Sequence, residues 1–188
     1  MIKKFIDRLL GKSPTGGRSP LGKRVELRIS GDSSIAVPRD ELYVLQDALV
    51  HMLRNALDHG IEPPGVRVTA GKSEIGIIGL DCACDDGVTT VQIHDDGRGI
   101  DPDQVGRRVV ELGLRTAEEV AALSREETVR LVLLPHLSTA AVVSDISGRG
   151  IGMDVVATNL AKIGARLDIH TEVGRGTEMT ITLRAYHD

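Results

Sequence analysis

The stretch Leu49-Val-His-Met-Leu-Arg-Asn-Ala-Leu-Asp-His-Gly-Ile-Glu62 decides how this chain is read. Leu49, Val50, Leu53, Ala56 and Leu57 recur at helical spacing and mark a buried stripe. His51, Arg54, Asn55, Asp58 and His59 fall elsewhere on the same helix. His51 and Asn55 are an i, i+4 pair, as are Asn55 and His59, so these side chains stack along one side. Gly60 is placed to end the helix in a left-handed cap. A polar row of His, Asn, Asp and His on a core-bound helix is either a solvated face or the lining of a site. The rest of the chain decides between the two.

At 188 residues the chain fits one domain with its own core. Hydrophobic residues make up 41% and charged residues 27%, the range of an ordinary globular protein. Phe5, Tyr43 and Tyr186 are the only aromatics, so the core must be aliphatic. So few aromatics, with a formal net charge of −4, argue against single-stranded nucleic acid read by base stacking and against broad nucleic-acid binding. Cys82 and Cys84 lie two apart in a strand-like run and are read as reduced structural residues rather than a zinc site or a disulfide framework. No apolar run is long enough to span a bilayer and no signal-peptide pattern is present, so a cytoplasmic setting is expected.

Met1–Lys12 is amphipathic, with Ile2, Phe5, Ile6, Leu9 and Leu10 on one face and Lys3, Lys4, Arg8 and Lys12 off it. Gly11–Pro20 reads as a flexible linker, which divides the chain into residues 1–20 and a folded domain over residues 21–188. A role in partner docking or self-association is expected of residues 1–12, since so short a helix is marginal alone. Val25, Leu27 and Ile29 alternate, predicting a strand over Arg24–Ser30. A helix is predicted from Pro38 or Asp40 to His59, and Pro63-Pro64-Gly65 is read as a break followed by a polar connection. Ile75–Cys84 and Val88–His94 are strands around an Asp85-Asp86-Gly87 turn. Helices are expected over Asp103–Leu112, Thr116–Leu123 and Ser124–Leu134, the last with a Ser124/Glu127 capping box. Ile151–Ile163 is a helix ended by Gly164. Arg166–Glu172 and Glu178–Arg184 are alternating strands. His94, His170 and His187 are read as structural or solvated.

Three glycine clusters follow the polar helix: Asp95-x-Gly-x-Gly99, Gly148-x-Gly-x-Gly152 and Gly174-x-Gly-Thr177. Each alone marks no more than a turn. In this order, behind that helix, they point to nucleotide binding. Glycines let the backbone approach phosphates, and the helix start after Gly152 offers N–H donors to anionic oxygens. Neither the common phosphate loop nor the dinucleotide fingerprint is present.

The wording of these segments resembles the ATP-binding domain shared by histidine kinases, type II topoisomerases, ninety-kilodalton heat-shock chaperones and mismatch-repair proteins. Within that superfamily it is most similar to the kinase domain of CheA-type chemotaxis sensor kinases. The resemblance rests on Leu49–Glu62, Asp95-Asp-Gly-Arg-Gly-Ile-Asp101, Leu137-Ser-Thr139 and Ser147-Gly-Arg-Gly-Ile-Gly-Met-Asp154, and covers about Leu21 to Leu183. It implies that Asp95 accepts a hydrogen bond from the adenine amino group while Gly97 and Gly99 let the chain pass the base. It implies that Asn55 gives an oxygen to Mg²⁺ and that His51 orients or deprotonates the attacking group. Asp58, His59 and Arg108 fall near the phosphates, and Gly148, Gly150 and Gly152 form the hinge of a lid. Gly174, Gly176 and Thr177 support the pocket floor. The same carry-over puts Arg54, Ile100, Ser138, Thr139, Arg149, Ile151 and Met153 around the nucleotide.

Two departures stand out. The family's Pro-Gly-Phe-Ser-Thr reads Pro135-His136-Leu137-Ser138-Thr139 here, which removes a flexible Gly and a packing Phe. Ala140-Ala-Val-Val143 also lacks a basic residue found in relatives. The fold implied is a two-layer α/β sandwich, α+β in class: a mixed, mainly antiparallel sheet with helices on one face. The function implied is an ATP- and Mg²⁺-using kinase module that phosphorylates a histidine on a separate protein or domain. The competing readings are a nucleotide-gated regulatory module and an ATP-hydrolysing clamp. His51 in place of the clamp's Glu counts against the clamp.

Overall fold

A computed structural model of the chain describes residues 17–18, 22–31, 37–135, 137 and 152–184. The amphipathic stretch Met1–Lys12 and most of the lid segment lie outside the described residues. Strand β1 is Gly17–Arg18 and pairs antiparallel with the start of β2, Arg24–Gly31. Helix α1 spans Arg39–Asn55 and runs into a π-wound turn over Ala56–Gly60. Then come α2 (Pro64–Thr69), β3 (Gly76–Asp85), β4 (Val88–Asp95) and α3 (Pro102–Glu111). The chain continues through α4 (Ala117–Ala121), α5 (Arg125–Arg130), α6 (Met153–Lys162), β5 (Arg166–Glu172) and β6 (Gly176–Arg184).

The six strands lie in the order β1-β2-β3-β4-β6-β5. Only β2 and β3 are parallel, joined by the α1 crossover; the other pairs are antiparallel, as the sequence reading expects. The β3–β4 hairpin turns on Asp86 and Gly87, both at positive φ (45° and 72°). That is the twist a two-residue hairpin needs, and Asp-Gly supplies it at low cost.

Period-two alternation fixes the two sheet faces. Thr89, Val91 and Ile93 of β4 are buried, while Thr90, Gln92 and His94 point to the other face. Onto the buried face α1 sets Leu45, Leu49 and Met52, and α6 sets Leu160. These side chains are exposed by 1% or less. Together with Leu80 and Ile181 they form an aliphatic core, with no aromatic ring among the described residues that build it. Truncating such a residue, for example Leu49→Ala, costs about 2–5 kcal/mol. A smaller cluster, Val105, Val109 and Leu137, lies under α3. Both Thr116/Glu119 and Ser124/Glu127 form reciprocal capping boxes, so two short helices begin where their caps place them.

Two local expectations are corrected. Gly60 is not a left-handed cap: it has no positive φ, and the helix instead widens to a π turn closed by Ile61 N–H donating to Ala56 O at 2.8 Å. Ile61 then leaves in extended conformation. Pro63-Pro64-Gly65 does not open a polar connection. Pro64 is the first residue of α2, where its missing N–H costs nothing and its fixed φ suits the helix.

Candidate functional site

Helix α1 presents the polar row as the sequence predicts. His51 and Asn55 are half-buried, Arg54 is exposed, and the π turn carries a half-buried Asp58 and an exposed His59. Burial, and then the Arg54 charge, pull the His51 pKa below its usual value, with Asp47 opposing them. The imidazole is therefore neutral near pH 7 and able to take a proton. A π turn within a helix is often found where a helix serves a site.

Asp95 ends β4 beside this turn. Its Oδ1 accepts the Gly97 backbone N–H at 2.9 Å. Burial raises its pKa to about 6, helped by Asp96 and Glu62 and opposed by backbone hydrogen bonds from Gly97 and Thr177. A carboxylate has about four lone-pair positions, so acceptor capacity remains for a further N–H donor.

Hydrogen bonds knot the chain around Asp95. Arg98 N–H donates to Gly60 O at 3.0 Å, and Gly174 N–H donates to Arg98 O at 2.7 Å. The Thr171 hydroxyl accepts Ile100 N–H at 2.8 Å and donates to Gly176 O at 2.9 Å. It also lies 3.1 Å from the Thr177 hydroxyl. Gly97 and Gly99 are glycines because the loop packs on protein backbone. A Cβ at Gly97 would collide with Gly60 O, and one at Gly99 with Glu172 O. Asp95, Gly97, Gly99, Ile100, Gly174, Gly176 and Thr177 thus come together, with Thr171, which the sequence did not single out, as their tie.

Behind the loop lies an ionic cluster that sequence reasoning missed. Arg67 of α2 is fully buried. Its guanidinium donates to Glu62 Oε2 (3.0 Å), Asp96 Oδ2 (2.8 Å), Asp96 O (3.2 Å) and Ser73 O (2.7 Å). The Lys72 ammonium donates to Glu62 Oε1 (2.9 Å), Asp96 O (2.9 Å) and Gly97 O (2.6 Å). Burial alone would raise the Glu62 carboxyl. The Lys72 hydrogen bond, its backbone and the Lys72 and Arg67 charges outweigh burial and hold it below the usual range. On the other side, Lys23 is buried and donates to Leu57 O (2.9 Å) and Asp58 O (2.7 Å) of the π turn. Burial lowers the Lys23 pKa, countered by Asp58.

Other predicted residues stand apart or unseen. Arg108 is exposed on α3 and donates to Glu111 Oε2 at 3.1 Å, and no described contact ties it to the Asp95 loop. Gly152 caps α6 without a side-chain hydrogen bond and Met153 begins it, leaving first-turn N–H groups without a capping side chain among the described residues. Ser138, Thr139, Gly148, Arg149, Gly150 and Ile151 lie outside the described residues. His94 pairs with Asp81 (3.2 Å) on the outer sheet face, and His170 is exposed. Cys82 and Cys84 are free thiols, and no group of three His, Cys, Asp or Glu side chains among the described residues is arranged for a metal.

Comparison with known proteins agrees with this fold. A family model described as histidine kinase-, DNA gyrase B-, and HSP90-like ATPase matches residues 44–187. The gliding motility regulatory protein of Myxococcus xanthus is 41% identical over 163 residues, 87% of this chain and 21% of that protein. The chemotaxis protein CheA of Cereibacter sphaeroides is 42% identical over 163 residues, 86% of this chain and 23% of that protein. The chain thus spans about a fifth to a quarter of the curated relatives it matches. Among solved structures, the mycobacterial sensor histidine kinase MprB superposes with a TM-score of 0.56 at 21% identity, covering 97% of this chain and 92% of that one. The histidine kinase domain of an Erythrobacter litoralis blue-light activated kinase gives 0.53 at 18% identity, over 97% of this chain and 57% of that one. These two likenesses are of fold. The chain belongs to the histidine kinase-, DNA gyrase B-, and HSP90-like ATPase family.

Proposed function

We propose that this chain is the ATP-binding catalytic module of a chemotaxis-type histidine kinase, moving the γ-phosphoryl group of ATP to a histidine on a separate protein or domain. The observation that carries the reading is the seat of Asp95: a half-buried acceptor at a strand end, oriented by backbone N–H groups and with lone pairs to spare. It suits the adenine amino group and disfavours guanine, which offers a carbonyl at that position. Gly97, Gly99, Ile100 and Thr177 shape the floor around the base. Arg54, His59, Arg108 and the N-terminus of α6 at Gly152 and Met153 supply charge and N–H donors for the phosphates, with Asp58 beside them.

Mg²⁺ fits the donor set. Magnesium in such sites takes one or two protein oxygens and completes its shell with phosphate oxygens and water. The Asn55 carboxamide is a suitable hard donor, and a cage of three acidic or imidazole ligands is not what this mode requires. Bound there, the ion would offset charge on the triphosphate. Neutral His51, one turn from Asn55, orients the attacking imidazole or accepts its proton. As the new N–P bond forms, the bond from the γ-phosphorus to the bridging oxygen breaks and ADP leaves.

The acceptor histidine lies in trans, and the setting is cytoplasmic. No helix among the described residues is long and apolar enough to cross a membrane. The test is incubation of the chain with γ-labelled ATP, Mg²⁺ and histidine-bearing candidate partners. Acid-labile label on a partner is the expected result. Tight ATP binding with no transfer to any partner overturns the kinase reading in favour of a nucleotide-gated regulatory module.

A further inference from the structure

Both ends of the proposed nucleotide site are held by lysines that bond to backbone carbonyls of its loops. Leu57 and Asp58 sit in the π turn, and because the chain leaves the helix at Ile61, their carbonyls have no further helical N–H to accept. Lys23, from the segment just before β2, donates to both, at 2.9 and 2.7 Å. This turn follows Asn55 and carries Asp58 and His59. At the other end, Lys72 uses all three of its N–H bonds on Glu62 Oε1, Asp96 O and Gly97 O. The Gly97 peptide is thereby fixed on both sides, its carbonyl by Lys72 and its N–H by Asp95 Oδ1.

We propose that Lys23 and Lys72 are the positioning residues of the two ends of the site, Lys23 for the metal and phosphate end and Lys72 for the base end. The inference rests on the nucleotide reading above and adds a division of labour to it. Lys23 is spent on two backbone carbonyls, and Lys72 on two backbone carbonyls and the Glu62 carboxylate, so removing either ammonium loosens one loop rather than deleting a proposed ligand contact. The two loops are tied by the Arg98 N–H to Gly60 O hydrogen bond and touch where Gly60 packs against Asp95 and Gly97. Arginine is a poor substitute at Lys72, because three divergent donors cannot be replaced by a planar fork.

The experiment uses the full 188-residue chain with Lys23→Met and Lys72→Met. Calorimetry measures ADP affinity in EDTA, which reports the base end, and the Mg²⁺ concentration at half-saturation for a non-hydrolysable ATP analogue, which reports the metal end. Lys72→Met is expected to weaken metal-free ADP binding roughly tenfold while moving the Mg²⁺ midpoint less than about twofold. Lys23→Met is expected to do the reverse, raising the Mg²⁺ midpoint roughly tenfold. Melting curves accompany both, and Lys→Gln replaces either variant that does not fold. Parallel losses in both measurements, no change in either, or failure of both the Met and the Gln variants to fold overturns the inference. Absence of ADP binding by the unsubstituted chain overturns the nucleotide reading and this inference with it, whereas normal binding with parallel losses overturns the inference alone.

Discussion

Gly60 faces the carboxylate of Asp95 so closely that a Cβ on Gly60 would lie 3.1 Å from both Oδ1 and Oδ2. The last residue of the π turn and the first residue of the glycine-rich loop are thus in contact, and that contact joins the polar helix to Asp95, the proposed adenine acceptor. Gly60→Ala forces the carboxylate to shift by a few tenths of an ångström. ATP affinity should fall severalfold in calorimetry with little change in melting temperature. Unchanged affinity would mean that the position of Asp95 is not what the nucleotide senses.

Nucleotide binding should weaken in mild acid. The ionised form of Asp95 accepts the hydrogen bond from an amino donor, and burial raises its pKa to about 6. Above that value a proton does not compete with the nucleotide. Below it, affinity falls toward tenfold per pH unit, a loss of roughly tenfold by about pH 5. Unfolding of this group does not explain such a loss, because a carboxyl whose folded pKa is raised favours the folded state as it protonates. Titration of ATP affinity against pH checks the midpoint, and a flat profile between about pH 7 and pH 5 contradicts it.

Substitutions in α1 should separate binding from turnover. Asn55→Ala should abolish Mg²⁺-dependent transfer while metal-free ADP still binds, since the fold does not rest on this half-buried side chain. His51→Ala should lower kcat far more than it raises KM, because its assigned role is at the reacting phosphoryl group. The depressed His51 pKa adds a direction: turnover is retained at neutral pH and declines only in acid, as the imidazole takes its proton. Full Mg²⁺-dependent transfer in the Asn55 variant refutes the metal role.

The buried cluster under the loop should be sensitive to losing one partner. Arg67→Met leaves Glu62 buried without its guanidinium, a change that costs about 3–5 kcal/mol in comparable sites. Urea unfolding measures it, and adding Glu62→Gln to Arg67→Met should cost less than the sum of the two single changes, because they remove opposite members of one buried ion pair. Losses that simply add would show that Glu62 is held mainly by Lys72.

What the sequence made legible was local. Alternation gave the strands, helical spacing gave α1 and its polar row, and Ser124 with Glu127 marked a helix start that the structure reproduces. That Asp95, Gly97, Gly99 and Thr177 belong together is legible because glycine-rich motifs keep their spacing in one dimension. What escaped acts at long range or through backbone. Lys23 reaches a carbonyl 34 residues away and Lys72 one 24 residues away, and a lysine before a strand or after a short helix carries no signature of either. Pro64 read as a breaker because proline serves both to stop helices and to start them. The π turn was invisible because one residue of extra winding leaves the apolar spacing of Leu53, Ala56 and Leu57 intact.

The central claim is that Asp95 reads adenine, and titration calorimetry of ATP against the unsubstituted chain and Asp95→Asn tests it most directly. Losing a hydrogen bond to a charged acceptor costs roughly 1.5–3 kcal/mol. The variant should therefore bind ATP at least about tenfold more weakly, and the unsubstituted chain should bind GTP poorly. Equal ATP affinity in the two proteins, or equal affinity of the unsubstituted chain for ATP and GTP, would contradict it.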